Sequence, residues 1–465
     1  ARPPVGPARF AAPLPAEPWT GVREAVTFGP AAVQSAIDVT YVPGFSLWEG
    51  IGAMGEDCLT LNVWTPGLTG RRPVLVWLHG GAFLKGAGSQ DLYDGATLAR
   101  RGDVVVVTAN YRLGAFGFLA LDDDRFAANA GLLDQLAVLE WVADHATAFG
   151  GDPGNVTVMG ESAGAVSVAA LMAAPRAAGR YHRAVGQSGA GRGLPEAALA
   201  GEMADRLLSR LGLDRARVGE LFELPAGRLL SAQGAVTVDV RRTDIGAGFQ
   251  PWIDGDVVPA QPVAALAGGS AARVPFLAGT NRHEMNLWRV LEPGLRSLDE
   301  AGLGVRVRRL VGEAAEDLVA VYRAARPAAA PAELWEAIWT DREFRVPSLR
   351  ATEAQVGRCP TTYSYLFTWP SPSPGIGSCH GLELPFVFGT LASKGADAFA
   401  GSGPAAEALA TVVQDAWLSF ARAGDPGWPA YDLTTRPTML LGETCEVVDD
   451  PMQAERMAWE GLPTA

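Results

Sequence analysis

Lysine is almost missing from this chain: Lys85 and Lys394 are the only two in 465 residues, and arginine carries the remaining positive charge. With 38 basic against 51 acidic residues the formal net charge is -13. A chain this acidic, without a basic stripe, lacks the phosphate-neutralising surface that nucleic-acid affinity depends on, and it is equally unsuited to an anionic membrane. The surplus reads as a solubilising surface. Cysteine is scarce too. Cys58, Cys359, Cys379 and Cys445 contain no C-x-x-C pair, which excludes a zinc ribbon or dithiol redox motif. So sparse a set fits a reducing compartment, although sequence alone leaves a Cys359–Cys379 bridge open. No two of the five histidines share metal-ligand spacing, so neither a metal nor a cofactor is expected. No apolar run is long enough to span a bilayer. The chain opens on Ala1-Arg2-Pro3-Pro4 without an initiator methionine or signal peptide, as expected of a sequence whose native N-terminus is missing.

What is present is ordinary globular material, 48% hydrophobic and 19% charged, enough for a large core. Pro73–Leu78 and Val104–Ala109 are near-continuous apolar runs of the kind that buried parallel strands require. Val156–Met159, Val274–Ala278 and Thr361–Thr368 read as further strands, and Leu59–Trp64 has a strand pattern. Between them, Gly131–Ala148, Gly201–Leu213, Ala314–Ala325 and Pro404–Ala423 have helical spacing, the last with Leu409, Val412, Val413, Ala416, Trp417 and Phe420 on one face. Such alternation implies an α/β fold with a large, mostly parallel central sheet flanked by helices. The expected organisation is a single domain over residues 1–465.

Gly160-Glu161-Ser162-Ala163-Gly164 lies between the strand Val156–Met159 and a small-residue helix beginning at Ala165. A G-x-S-x-G recurs by chance in glycine-rich chains, so its context carries the argument. Between strand and helix it is a nucleophile elbow, a sharp turn that needs small flanking residues and places the serine over the positive end of a helix. A nucleophilic serine needs a base, an orienting acid and donors for an oxyanion. His283 and His380 are the histidines well downstream of Ser162; His380, after the flexible Pro/Gly loop Pro370–Gly377, is the better base. The strand ending at Ala278 runs into Gly279-Thr280-Asn281-Arg282-His283-Glu284, which makes Glu284 the acid. His79-Gly80-Gly81-Ala82-Phe83 follows another strand, and its small residues let backbone N–H groups converge. The expected donors are Gly81, Ala82 and Ala163. Gly50-Ile51-Gly52-Ala53-Met54-Gly55 fits a dinucleotide fingerprint in letters only, because a strand pattern and not a helix follows it; it reads as a loop near the pocket mouth.

Taken in order, these segments resemble the type-B carboxylesterases, the carboxylesterase/cholinesterase group of the α/β-hydrolase fold. The likeness also includes Pro3-Pro4-Val5-Gly6, Glu56-Asp57-Cys58-Leu59, Asn110-Tyr111-Arg112-Leu113-Gly114, Gly150-Gly151-Asp152-Pro153, Gln187-Ser188-Gly189 and His380-Gly381-Leu382-Glu383. The resemblance implies inserted helical regions around an active-site gorge and hydrolysis of carboxylic esters through an acyl-enzyme on a Ser162–His380–Glu284 triad. It implies supporting roles for Glu161, Ser188 and Glu383, and structural ion pairs Arg9–Glu56 and Arg112–Asp134. Trp48, Phe83, Trp288 and Phe344 fall near the family's pocket loops, so the expected substrate is a small ester with an uncharged acyl or aryl group. The same triad could instead serve a carbamate, amide, lactone or natural-product ester; a non-catalytic binding protein is the remote alternative, since all three triad residues are retained. Secreted animal members pair the cysteine at the position of Cys58 with an upstream cysteine. None precedes Cys58 here, which points to a bacterial, cytoplasmic-type member, with secretion left open. The family's strand-rich segment ahead of Pro3 is also absent. A monomer or weak homo-oligomer is expected.

Overall fold

The computed structural model describes residues 1–35, 41–242 and 248–465. It comprises two compact units: Ala1–Asp38, Leu47–Arg183 and Leu194–Ala271 form one, and Val39–Ser46, Ala184–Gly193 and Ala272–Ala465 the other.

In the first unit, β1 (Leu61–Trp64), β2 (Arg72–Leu78), β3 (Val105–Ala109) and β4 (Gly151–Glu161) lie side by side in the order β1-β3-β2-β4. β1 runs antiparallel to β3 and the other neighbours are parallel. Valines and leucines on both sides of β2 and β3 are buried, which is why these runs are continuously apolar and do not alternate. Helix α1 (Ala130–His145) buries Leu132, Leu136, Leu139 and Val142, while Ala143, expected on the same face, is only partly covered. Helix α2 (Ala163–Ala173) is buried at every residue, consistent with its small, uniformly apolar sequence. Two ion pairs brace this unit. Arg9 meets Glu56 at 2.7 Å, and Arg112 grips Asp134 through Nε at 2.8 Å and Nη2 at 2.6 Å, both of the latter side chains being buried.

In the second unit, β5 (Arg183–Gln187), β6 (Phe276–Asn281), β7 (Thr362–Phe367) and β8 (Pro437–Leu441) are parallel in that order, and β9 (Glu446–Asp449) closes the edge antiparallel to β8. β6 starts and ends later than the expected Val274–Ala278. Pro275 has no N–H for a ladder, and the polar tail Gly279-Thr280-Asn281 continues the strand because every one of its residues is buried. Helix α3 (Val346–Val356) covers β6 and β7. Helix α4 (Pro404–Ala423) has the expected bounds, with Pro404 in its first turn and Gly424 left-handed at its end. Its stripe is narrower than expected: Leu409, Val413, Ala416, Trp417 and Phe420 are buried, whereas Val412 is exposed. A separate helical core gathers Leu303, Val307, Leu318, Leu334, Ile338 and Trp459. All four cysteines are free, which removes the Cys359–Cys379 bridge.

Candidate active site

Glu161 is the last residue of β4 and Ala163 the first of α2, so Ser162 alone turns the chain. It does so at φ +56°, ψ −122°, a conformation that a residue with a Cβ rarely adopts and that costs about 1–3 kcal/mol. The flanking glycines answer a different need. A Cβ on Gly160 would stand 2.5 Å from the Gly164 carbonyl carbon and 2.8 Å from the Leu78 oxygen, and one on Gly164 would run into that same oxygen. Their smallness lets α2 press against the end of β2.

The end of β2 leads into His79 and Gly80, followed by three successive left-handed residues: Gly81 at φ +113°, Ala82 at +55° and Phe83 at +58°. The N–H groups of Leu84 and Lys85 both donate to the Gly81 carbonyl at 3.0 Å, closing the turn. Among the described residues the N–H groups of Gly81, Ala82 and Ala163 donate to no acceptor. The loop abuts the elbow at Gly80, where a Cβ would lie 3.2 Å from that of Ser162 and 2.6 Å from Glu161 Oε2. Beneath it, the Tyr111 hydroxyl donates to the His79 carbonyl at 2.7 Å, and its ring stacks on the imidazole at 4.4 Å. Burial holds His79 down at about 4, so this histidine is a neutral packing group. Sequence reasoning gave neither His79 nor Tyr111 this supporting part. Phe83 is buried edge-on against Phe118, while Trp48 packs on Ala31, Ile51 and Ala87 with the Lys85 ammonium 5.3 Å from its ring.

In the second unit, β6 delivers Asn281, and Glu284 begins a 3₁₀ helix three residues on. Glu284 is fully buried. One carboxylate oxygen accepts the Asn281 backbone N–H at 2.7 Å; the other lies 2.7 Å from His380 Nδ1. The His380 N–H donates back to the Glu284 carbonyl at 3.2 Å. A carboxylate has only acceptors, so Nδ1 carries the ring hydrogen and Nε2 is the accepting nitrogen of the ring. His283 is placed otherwise. Its Nδ1 accepts the Ser378 N–H at 3.2 Å, and burial followed by the charges of Arg282, Arg326 and Arg289 lowers it to about 4.

Two expected aromatic residues frame the imidazole: Trp288 at 4.9 Å and Phe344 at 4.7 Å, mutually stacked at 6.0 Å. Phe344 sits in a single π-helical turn, Asp341–Arg345, a distortion concentrated at functional positions. A buried bidentate pair, Arg345 on Asp341 with both contacts at 2.6 Å, staples that turn. The loop Pro370–Gly377 is tied down, not loose: Ser371 N–H reaches the Gly377 carbonyl at 3.0 Å and Ser378 Oγ the Trp369 carbonyl at 2.6 Å. Behind His380, the Glu383 carboxylate accepts from Gln187 Nε2 at 3.0 Å and from Asn281 Nδ2 at 2.6 Å. Asn281 also donates to the Cys379 carbonyl at 2.7 Å, and Trp417 Nε1 holds Gln187 Oε1 at 3.0 Å. Burial, with the Glu284 and Glu383 charges, raises the Cys379 thiol well above its usual range, so it is a packing residue. Ser188 is buried at φ +56° with its N–H on the Gly279 carbonyl. The sequence reading gave Asn281 and Gln187 no role of their own, though both stand at the ends of strands, β6 and β5.

The expected residues therefore fall into two groups, each in its own unit: Ser162, Glu161, Ala163, Gly81, Ala82, Trp48 and Phe83 in one, and Glu284, His380, Ser188, Glu383, Trp288 and Phe344 in the other. Gly50–Gly55 cradles no helix start. Gly50 is wedged against Ser89 and Asp91, and Met54–Gly55 pairs in parallel with Ala31–Ala32. Among the described residues no group of three His, Cys, Asp or Glu side chains could hold a metal ion, and no helix is long and apolar enough to cross a membrane.

Comparison with known proteins agrees with this chemistry. The model of the carboxylesterase family matches residues 1–459. The chain is 37% identical to the para-nitrobenzyl esterase of Bacillus subtilis, over 98% of this chain and 92% of that protein. It is 34% identical to the phenmedipham hydrolase of Pseudarthrobacter oxydans, over 97% and 92% respectively. The crystal structure of a Geobacillus stearothermophilus carboxylesterase superposes with a TM-score of 0.88 at 40% identity, covering 99% of this chain and 94% of that one. With an elbow serine in the first unit and a carboxylate-bound histidine in the second, the chain belongs to the carboxylesterase family, as a carboxylic-ester hydrolase of the α/β-hydrolase fold.

Proposed function

We propose that Ser162, His380 and Glu284 form the catalytic triad and that the N–H groups of Gly81, Ala82 and Ala163 hold the oxyanion. Ser162 Oγ attacks the ester carbonyl while His380 Nε2 takes its proton. The tetrahedral oxyanion forms against the three N–H donors. The carbonyl reforms, the ester C–O bond breaks, and the alcohol leaves with the proton from His380. Water then attacks the acyl-enzyme, giving its proton to His380; this proton passes to Ser162 Oγ as the carboxylic acid departs. Glu284 keeps the imidazole in the required tautomer and stabilises the imidazolium. One observation carries this reading: a fully buried carboxylate bound to Nδ1 of the only downstream histidine so paired among the described residues. Glu161, Ser188 and Glu383 support the triad from behind.

The substrate is a small ester with an uncharged acyl or aryl group, because the side chains flanking the base, Trp288 and Phe344, are apolar. Trp48 and Phe83, in the first unit, are the further apolar candidates for contact with such a substrate. The enzyme acts as a monomer or weak homo-oligomer in the bacterial cytoplasm, a placement supported by four free cysteines. A second reading, the same machinery devoted to a more specialised substrate, draws on the relative named a phenmedipham hydrolase.

The test is initial-rate hydrolysis of neutral p-nitrophenyl esters of graded chain length by wild type and Ser162→Ala, with circular dichroism to check folding. Turnover that vanishes in the variant supports the serine esterase and ranks its acyl preference. No wild-type turnover, yet labelling of Ser162 by an organophosphonate, would favour the specialised substrate. Absence of both turnover and labelling would overturn the proposal, and preference for charged over neutral esters would overturn the apolar pocket.

A further inference from the structure

Beyond the triad, on which this role rests, we infer that Asn281 is a positioning residue that holds the acid and the base in register. All three of its N–H donors are used at the site. The backbone N–H donates to Glu284 Oε1 at 2.7 Å. The side-chain amide donates to the Cys379 carbonyl at 2.7 Å and to Glu383 Oε2 at 2.6 Å. Cys379 precedes His380 and Glu383 follows it by three residues, so one planar amide grips the histidine segment on both sides. Asn281, Cys379 and Glu383 are all buried, which keeps water from substituting for these bonds.

An asparagine at a strand end usually caps its own turn, bonding backbone two residues away. Asn281 instead reaches 98 and 102 residues along the chain. Its orientation is fixed by chemistry: a flipped amide would set its oxygen against a carbonyl and a carboxylate, both acceptors. Oδ1 has no hydrogen-bond partner among the described residues, so the amide is held by its donors alone. The far side of Glu383 is anchored in turn by Gln187, itself held by Trp417. The result is a buried chain from α4 to the loop of the base, with Asn281 as the joint between that loop and the strand of the acid. Catalysis needs the imidazole to keep its bond to Glu284 while Nε2 exchanges protons, and a displacement of about 1 Å is enough to cost roughly 100-fold in rate.

Asn281→Asp keeps the shape and the backbone donor but turns both side-chain donors into acceptors facing a carbonyl and Glu383. For p-nitrophenyl butyrate at 25 °C, kcat should fall about 10- to 100-fold with KM little changed. The rate of organophosphonate labelling should fall in parallel, although labelling still runs to completion. Adding Glu383→Gln, whose amide can donate to the new carboxylate, should recover part of the lost kcat, more than the product of the two single effects allows. Should Asn281→Asp not fold, Asn281→Ala carries the same expectation of falling kcat at constant KM. Wild-type kcat in a folded Asn281 variant, a change confined to KM or thermal midpoint, or no recovery in the double variant would each overturn the inference. Ser162→Ala and His380→Ala run alongside separate the two readings. If either retains turnover the triad itself falls; if both are inactive while Asn281→Asp is fully active, only the role of Asn281 falls.

Discussion

Glu284→Gln removes the charge of the proposed acid while preserving its shape. The wild-type carboxylate accepts at both ends, from the Asn281 N–H and from His380 Nδ1, each at 2.7 Å and both out of contact with water. Glutamine has one accepting end and one donating end, so it can satisfy only one partner as found. With its oxygen toward His380, its amide N–H would face the Asn281 N–H, burying an unsatisfied donor at a cost of about 1–3 kcal/mol. With its oxygen toward Asn281, its amide donates to Nδ1. The ring hydrogen must then move to Nε2, the nitrogen that has to accept the serine proton. The second arrangement keeps every hydrogen bond and is therefore the one adopted, at the expense of the base. In the serine-protease template an equivalent change of tautomer lowers kcat by about 10⁴, or about 5.5 kcal/mol of activation free energy. The expected result is a loss of about 10³- to 10⁴-fold in kcat/KM for p-nitrophenyl butyrate at neutral pH, with the thermal midpoint almost unchanged. Steady-state rates and calorimetry on the same preparation read both numbers. A folded variant that lost less than about tenfold would show that Glu284 does not orient the base.

The strained elbow makes a second prediction. Ser162→Gly and Ser162→Ala should both be inactive, but the glycine variant should be the more stable in urea, by up to about 1–3 kcal/mol, since glycine adopts φ +56° without penalty. Equal stabilities would contradict stored strain there. For the thiols, iodoacetamide at mildly alkaline pH should add once to the native protein, at exposed Cys445. Burial holds Cys58 up at about 12 and Cys379 well above the usual range, and Cys359 is covered, so a native-state adduct on Cys379 seen by peptide mapping would refute the packing role. For pH, His79 is held at about 4 when folded against 6.5 unfolded. Above 6.5 it leaves stability untouched. Between 6.5 and 4 the unfolded chain binds a proton that the folded chain does not, so stability falls with falling pH, by roughly 1.4 kcal/mol per unit for this group at most. Denaturant titrations near neutrality and near pH 4.5 should show a shallower loss in His79→Asn; parallel slopes would refute the assignment.

The features legible in sequence were those written into adjacent residues. Apolar runs located β2, β3 and β4, and Pro404 with Gly424 bounded α4. The elbow, the glycine loop, and the proposed acid and base each carried a local pattern. β5 escaped notice because Arg183-Ala184-Val185-Gly186-Gln187 is short and polar at both ends; Gln187 belongs to a strand because its amide is satisfied by Glu383 and Trp417, far away in sequence. The π turn that presents Phe344 was equally silent. Asp341-Arg342-Glu343-Phe344-Arg345 reads as ordinary helix, and only the buried pair between its first and last residues, under the hydroxyl of Tyr322, distinguishes it.

The elbow marks the boundary between the two kinds of information. Its glycines suggest a backbone that needs glycine's dihedral freedom, yet the positive φ belongs to Ser162, while Gly160 and Gly164 serve the close approach of β2. The motif thus reports a requirement of space, which small residues reveal, and conceals a requirement of conformation, which the serine meets in spite of its Cβ. That strain is tolerated because β4 and α2 are buried on both sides of the turn and leave the intervening residue no other course. The same logic extends across the second unit. Glu284 and His380 are each identifiable by type and order, but their alignment depends on Asn281, which no motif marks as functional and which only the ladder β5-β6-β7 brings to the end of the sheet where its three donors can act. Residue types that do chemistry are selected for their own reactivity and stand out; residues that aim them are selected for reach, and reach is a property of the fold.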